Sequence, residues 1–208
     1  MTALVVLAKV PAPGRVKTRL CPPCTPVEAA RLAAAALADT LAAVAEAPAD
    51  RRVLVLAGAG PLAVPAGFEV VPQRGSGLDE RLGAAFEDVG GPAFLVGMDT
   101  PQLDPELLTL ALHALEGADA VLGHAPDGGY WGVGLHRADR RAFARVPMST
   151  AFTGTAQRRR FDALGLRTAV LPSLQDVDDI GSARSVAAQA PATRFARELE
   201  RVLAAGVT

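Results

Sequence analysis

Runs of β-type residues alternate with helical patterns along the whole 208-residue chain, and this alternation restricts the fold more than any other feature. Each parallel return in a sheet needs a crossover, and the crossover helices cover the sheet on both faces. Leu4-Val5-Val6-Leu7 is an apolar run of buried-strand type, and Arg52 to Ala57 is a second. Phe68 to Val71, Pro92 to Gly97, Ala118 to Gly123, Tyr130 to Leu135 and Arg167 to Leu171 bring the expected sheet to about seven strands. Helical patterns run from Pro26 to about Glu46, Leu78 to about Val89, Asp104 to about Leu115 and Gly154 to Leu164, and one or two further helices close the chain. The first has a distinct start: Thr25 as N-cap, Pro26 in the first helical position, and Glu28 completing a capping box. One connection breaks the alternation. Asp127-Gly128-Gly129 is too short for a helical crossover, so the strands flanking it are antiparallel or not neighbours, and the sheet is mixed. With no repeat or low-complexity linker, the pattern predicts one α/β domain over residues 1–208, a mainly parallel sheet between helices.

Composition removes several function classes. Half the residues are hydrophobic and 21% are charged, which excludes disorder as the main state. Basic and acidic residues number 21 and 22, so bulk electrostatics favour neither nucleic acid nor an anionic membrane. The N-terminus lacks the pattern of a secretory signal, and the apolar stretch from Leu32 to Ala45 is interrupted by Asp39 and Thr40, so a soluble cytoplasmic protein is expected. Two cysteines fit a reducing compartment. Their spacing, Cys21-Pro22-Pro23-Cys24, lacks the further ligands of a zinc site, and a long polar loop separates it from the preceding strand; a Pro-stiffened loop is the simplest reading.

Ligands in such sheets sit at the carboxyl ends of the strands. The first such end holds the only two lysines of the chain, Lys9 and Lys17, together with Arg15, Thr18 and Arg19 in a loop bent by Pro11, Pro13 and Gly14. A bent cationic loop between a first strand and a helix suits a diphosphate, although neither a Walker A nor a GxGxxG spacing is present. The third end carries Gly75 and Gly77, which permit close backbone approach to an anion or a base edge. The fourth end places Asp99 before Thr100-Pro101, either as a turn residue or as a ligand for Mg²⁺ held jointly with phosphates. The fifth is followed by Asp127-Gly128-Gly129-Tyr130-Trp131, a hairpin turn or an acceptor-facing acid with an aromatic surface beside it. Ser149 and Thr150 offer hydroxyls before a helix. In Gln175-Asp176-Val177-Asp178-Asp179, an extended backbone puts Asp176 and Asp178 on the same side, and one of the run can join Asp99 on a metal.

Lys9-x-Pro11-x-Pro13-Gly14-x-Val16-Lys17-Thr18-Arg19-Leu20, Gly97-x-Asp99-x-Pro101, Asp127-Gly128-Gly129-Tyr130, Ser149-Thr150 and Asp176-Val177-Asp178 together resemble one family over nearly the whole chain. It is the arsenosugar-biosynthesis glycosyltransferase-like family, also described as radical-SAM or selenodomain-associated transferases, within the nucleotide-diphospho-sugar transferase (GT-A) superfamily. The resemblance implies a Rossmann-like three-layer GT-A fold and a divalent cation, Mg²⁺ or Mn²⁺. It implies a nucleotide sugar as donor and a small-molecule acceptor. Lys9, Gly14, Lys17, Thr18, Arg19, Gly75 and Gly77 would then bind the nucleotide, and Asp99 and Asp178 the metal. Asp127 and Lys17 would be catalytic, with Gly128, Gly129, Tyr130, Ser149 and Thr150 facing the acceptor or sugar. Two departures matter. Glycosyltransferases of this type carry Asp-x-Asp, whereas Gly97 stands two before Asp99; a lone Asp followed by Thr-Pro is similar to nucleotidyltransferases such as 2-phospholactate guanylyltransferase, which use a nucleoside triphosphate. Asp179 stands where relatives have Thr, which leaves the ligand within the acidic run open. The apolar C-terminal helices would pack on the sheet or on a second subunit of a homodimer.

Overall fold

The computed structural model of the chain describes residues 1–205. Seven strands form one sheet: β1 (Ala3–Lys9), β2 (Arg51–Ala57), β3 (Phe68–Pro72), β4 (Ala93–Val96), β5 (Ala120–His124), β6 (Tyr130–Leu135) and β7 (Thr168–Leu171). The helices are α1 (Pro26–Glu46), α2 (Leu78–Val89), α3 (Pro105–Gly117), α4 (Thr153–Ala163), α5 (Ile180–Gln189) and α6 (Arg194–Ala205). The strand order is β3-β2-β1-β4-β6-β5-β7. Only β6 runs against its neighbours, antiparallel to both β4 and β5. The short Asp127-Gly128-Gly129 connection therefore makes a hairpin, and its second strand is inserted between β4 and β5.

Period-2 alternation divides the core. In β1, Leu4 and Val6 face α1 and α3, packing with Leu37, Leu41, Leu108 and Leu115. Ala3 and Val5 face the other way, toward Leu82 and Phe86 of α2 and Phe161 of α4. Trp131 and Tyr130, adjacent in β6, take opposite faces for the same reason. Trp131 is a core residue: it lies edge-on to Phe94 with ring centroids 5.6 Å apart, and its indole N–H donates to the Pro172 carbonyl at 3.1 Å. The capping box of α1 forms as the sequence predicts, with Thr25 accepting from the Glu28 N–H and Glu28 accepting from the Thr25 N–H.

α1 is apolar on two sides. One side covers the sheet; the other, with Ala29, Leu32 and Ala36, is covered by Val186 of α5 and Phe195, Leu199 and Val202 of α6. The C-terminal helices thus pack on α1 and not directly on the sheet, adding a layer outside it. The expected three layers become four on this side because an Ala- and Leu-rich helix has more apolar surface than the sheet alone can bury. Among the described residues no helix is long and apolar enough to cross a membrane.

From β1 the chain moves outward to β2 and β3, then returns through α2 to β4 on the other side of β1. The order reverses between β1 and β4, which opens a crevice at their carboxyl ends.

Candidate functional site

The β1–α1 loop enters this crevice. Its backbone is anchored by two buried side chains, Val16 and Leu20, and it closes in a single 3-10 turn over Thr18–Leu20 that the sequence pattern does not announce. Between these anchors Lys17 adopts φ 49°, ψ 37°, a left-handed conformation that costs a residue with a side chain on the order of 1 kcal/mol. The side chain is thereby turned inward and is only 9% exposed. Its ammonium lies 2.8 Å from Asp99 Oδ1 and also donates to the Val177 carbonyl. Arg19 pairs with Asp178. Lys9 and Arg15 face the same crevice and have no ion-pair partner among the described residues.

Asp99 follows β4 directly, and its carbonyl accepts from the Val177 N–H at 2.9 Å. This bond fastens the 176–178 segment to the end of β4. Val177 is buried beside Leu20 and Leu32, so the flanking Asp176 and Asp178 are left to line the crevice. Burial, and then the nearby Asp127 carboxylate, push the Asp176 carboxyl up to about 6. Asp99 acts in the same direction more weakly, while Lys17 opposes it. Asp179 is committed elsewhere: it caps α5 by accepting from the Ser182 N–H at 2.8 Å, and that bond holds its carboxyl below the usual range. Just before α1, Cys21 and Cys24 are free thiols; burial pushes the Cys24 thiol up, as suits a packed loop residue.

The facing wall comes from the β5–β6 hairpin and the segment before α4. Asp127 Oδ1 accepts from the Gly129 N–H at 2.8 Å, folding the turn on itself. Gly128 has φ +91°, and a Cβ there would collide with the Ala151 carbonyl. That close approach seats Ser149, Thr150 and Ala151 against the hairpin. The Thr150 hydroxyl accepts from the Phe152 N–H at 3.2 Å. Tyr130 OH lies near Gln157 Oε1 at 3.5 Å, and burial pushes its phenol well up, so it is a donor and not a base.

These walls enclose an open cleft of about 790 Å³, a size suited to a nucleotide with a small acceptor. Of the residues expected from sequence, Lys9, Lys17, Thr18, Arg19, Asp99, Asp127, Gly129, Tyr130, Ser149, Thr150 and Asp178 all line it. Gly14, Gly75, Gly77 and Gly128 do not; they shape the turns behind it. The cleft is also lined by Gln73, Arg81, Met98, Met148 and Asp176. No local pattern marks Met98 or Met148. The only signal for Gln73 is its place immediately after β3.

The donors that converge here are carboxylate oxygens, the chemistry of a site for Mg²⁺ or Mn²⁺ rather than a softer ion. Among the described residues no three His, Cys, Asp or Glu side chains come together as a complete cage. Asp99 and the carboxylates of 176–178 thus fit a cation that shares its coordination with substrate phosphates.

Residues 29–150 match the family described as "Uncharacterized protein conserved in bacteria (DUF2064)". A phosphoenolpyruvate guanylyltransferase from Geodermatophilus obscurus is 36% identical over 165 residues, covering 76% of this chain and 74% of that protein. A crystal structure from Desulfovibrio desulfuricans G20, described as a nucleotide-diphospho-sugar transferase, superposes with a TM-score of 0.84 at 24% identity, covering 96% of this chain and 94% of the other. A manganese complex of a Mycobacterium tuberculosis H37Rv protein superposes with a TM-score of 0.56 at 21% identity, covering 89% and 96%. The mixed, mostly parallel sheet and its helices thus have the Rossmann-like fold of the nucleotide-diphospho-sugar transferases. These likenesses show the fold that the sequence resemblance implies; the narrower arsenosugar grouping is not what they identify.

Proposed function

This chain belongs to the bacterial family DUF2064, and we propose that it is a nucleotidyltransferase, joining a nucleoside triphosphate to a small phosphorylated acceptor with release of pyrophosphate. One observation carries this reading: the Lys17 ammonium meets Asp99 and the 176–178 segment at the strand crevice, with Lys9 and Arg15 unpaired beside it. A triphosphate offers the cations new anionic partners, and frees the carboxylates for a divalent ion. Asp99 and Asp178 would hold that ion, with Asp176 beside them. When bound with the triphosphate, a divalent cation neutralises phosphate charge and polarises the group to be transferred.

In the proposed reaction an acceptor oxygen forms a bond to the α-phosphorus as the bond to the bridging oxygen of pyrophosphate breaks. Lys17 and Arg19, with Lys9 and Arg15, stabilise the charge that gathers on the leaving pyrophosphate. Thr18 and the turn at Gly14 shape the phosphate loop, and Gly75 and Gly77 give the backbone between β3 and α2 its close turns. Tyr130, Gly129, Ser149 and Thr150 form the acceptor side. A phosphorylated acceptor brings an oxygen already ionised at neutral pH, so Asp127 orients the acceptor and need not remove a proton.

A nucleotide-sugar donor is the expectation from sequence resemblance, but two findings favour nucleotidyl transfer. Asp99 stands without the second Asp of an Asp-x-Asp pair. The Geodermatophilus relative carries the name of a guanylyltransferase. The test is acceptor-dependent pyrophosphate release from nucleoside triphosphates with Mg²⁺ or Mn²⁺, phosphoenolpyruvate being the first acceptor to try. Release only in the presence of acceptor supports the reading. Thermal stabilisation by nucleotide sugars but not by triphosphates, with no pyrophosphate formed, overturns it.

A further inference from the structure

A second concavity lies between α1 and α6 and shares no lining residue with the cleft. Arg31 of α1 pairs with Glu198 of α6, while Asp39, further along α1, pairs with Arg194, earlier in α6, so the two helices run antiparallel. They leave a shallow groove of about 380 Å³ on their outer side. Its floor is Ala34 and Ala35 of α1, whose side chains end at Cβ. Positions 27, 31, 34 and 38 of one helix share a face, so Val27, left 55% exposed, extends the alanine strip toward the start of α1. From Val27 to Ala35 the strip spans about 12 Å of helix. On α6, Arg194, Arg197 and Arg201 recur at the same period and form a line along the opposite wall.

Carboxylates answer only part of this charge. Glu198 is shared by Arg31 and Arg201, and Asp39 is taken by Arg194. Arg197 has no ion-pair partner among the described residues; its guanidinium donates to the Ala192 carbonyl at 3.0 Å. The other acid of α6, Glu200, does not line the groove. Four guanidiniums thus meet two carboxylates, a local positive surplus on a chain whose formal net charge is −1.

We propose that this groove docks an acidic amphipathic helix of another protein. Val27, Ala34 and Ala35 offer small apolar contacts that let a helix axis come close. Arg194, Arg197 and Arg201 meet carboxylates flanking the apolar strip of that helix. Two other occupants match these residues poorly. A second copy seated on the same face by a two-fold axis would set one line of arginines against another. A nucleic acid would find no aromatic ring in the groove on which to stack a base. The proposal does not rest on the function assigned to the cleft.

The test is equilibrium binding of the full chain, followed by fluorescence anisotropy without nucleotide or metal. The probe is a labelled helical peptide of about 20 residues, with Ala and Leu on one face and Glu flanking them. Its counterpart carries Gln for every Glu. The Glu peptide should bind at least about tenfold more tightly than the Gln peptide, with the difference shrinking as salt is added. Arg197→Glu should remove that preference, and Ala34→Gln should weaken binding by filling the floor. Arg159→Glu, on an exposed residue of α4, should change neither. Pyrophosphate release should be unaltered in all three variants. Failure of either peptide to bind, equal binding of both, or equal losses in Arg197→Glu and Arg159→Glu overturn the proposal. So does tighter binding of a short DNA duplex with the same dependence on Arg197, which would assign the groove to nucleic acid. A dimer in sedimentation that Ala34→Gln dissociates would assign it to a second copy and likewise overturn the proposal. The peptide series needs no substitution, so it stands even if a variant folds poorly, and it is read separately from any outcome at the cleft.

Discussion

Lys17–Asp99 and Arg31–Glu198 are ion pairs of nearly equal length, 2.8 and 2.7 Å, in unlike settings. Arg31 reaches from α1 to α6, is 55% exposed, and shares Glu198 with Arg201 at 3.2 Å. Glu198 is itself 13% exposed, but water and salt reach the arginine end and Arg201 remains as a second partner, so losing Arg31 costs little. Lys17 is 9% exposed and held by an unfavourable backbone angle between two buried anchors. Geometry of the contact does not separate the two; the setting does. At the α1–α6 seam both partners are already with the groups they serve. In the cleft, a cation and an anion are kept together beside room for a ligand that would take each of them separately.

That contrast can be tested from its strongest consequence to its weakest. Lys17→Met or Asp99→Asn should lower the rate of pyrophosphate release by about 10² to 10³, the range for removing one stabilising charge or donor from a reacting centre. A rate close to that of the unaltered chain would make the cleft pair no different from the seam pair. Chelating divalent metal should come next. A nucleoside triphosphate at a hundred times its Kd stabilises the fold by about 2.7 kcal/mol, and most of this should vanish in EDTA, read as a loss of the ligand-induced shift in Tm. Gly128→Ala should cost about 2 kcal/mol in denaturant unfolding, since it combines φ +91° with a collision at Ala151, and should raise KM for the acceptor by displacing Ser149 and Thr150. Arg31→Ala should be smallest: less than about 1 kcal/mol in unfolding and an unchanged rate. A large loss of activity there would erase the distinction between the two regions.

Much of the architecture is legible in the amino-acid pattern because its causes are local. The bounds of α2 and β6 follow from periodicity and flanking glycines, and the start of α1 follows from Thr25, Pro26 and Glu28. The cationic loop and the acids at strand ends are legible for a similar reason, since chain position after a buried strand already implies the crevice. What is not legible depends on neighbours distant in sequence. The place of β6 between β4 and β5 depends on pairing across the sheet, which no window of residues encodes. Asp176 and Asp178 read alike in an extended segment. Only the tertiary fold sets one beside Asp127 and the other against Arg19. Gln73 reads as a polar residue at a strand end until Ala8 and Val55, 65 and 18 residues away, fix its amide.

The covering of α1 by α6 has a consequence for how the chain comes to be made. α1 ends at Glu46, the helices that shield its outer side begin at Ile180, and α6, which supplies most of the cover, begins at Arg194. At ribosomal speeds the interval between α1 and this cover is on the order of ten seconds. Through that time the sheet-facing side of α1 can find β1 and β2, but Leu32 and Ala36 on its other side have no cover. The last helix to emerge completes the first, and until it does the nascent chain presents an apolar strip to whatever binds unfolded protein.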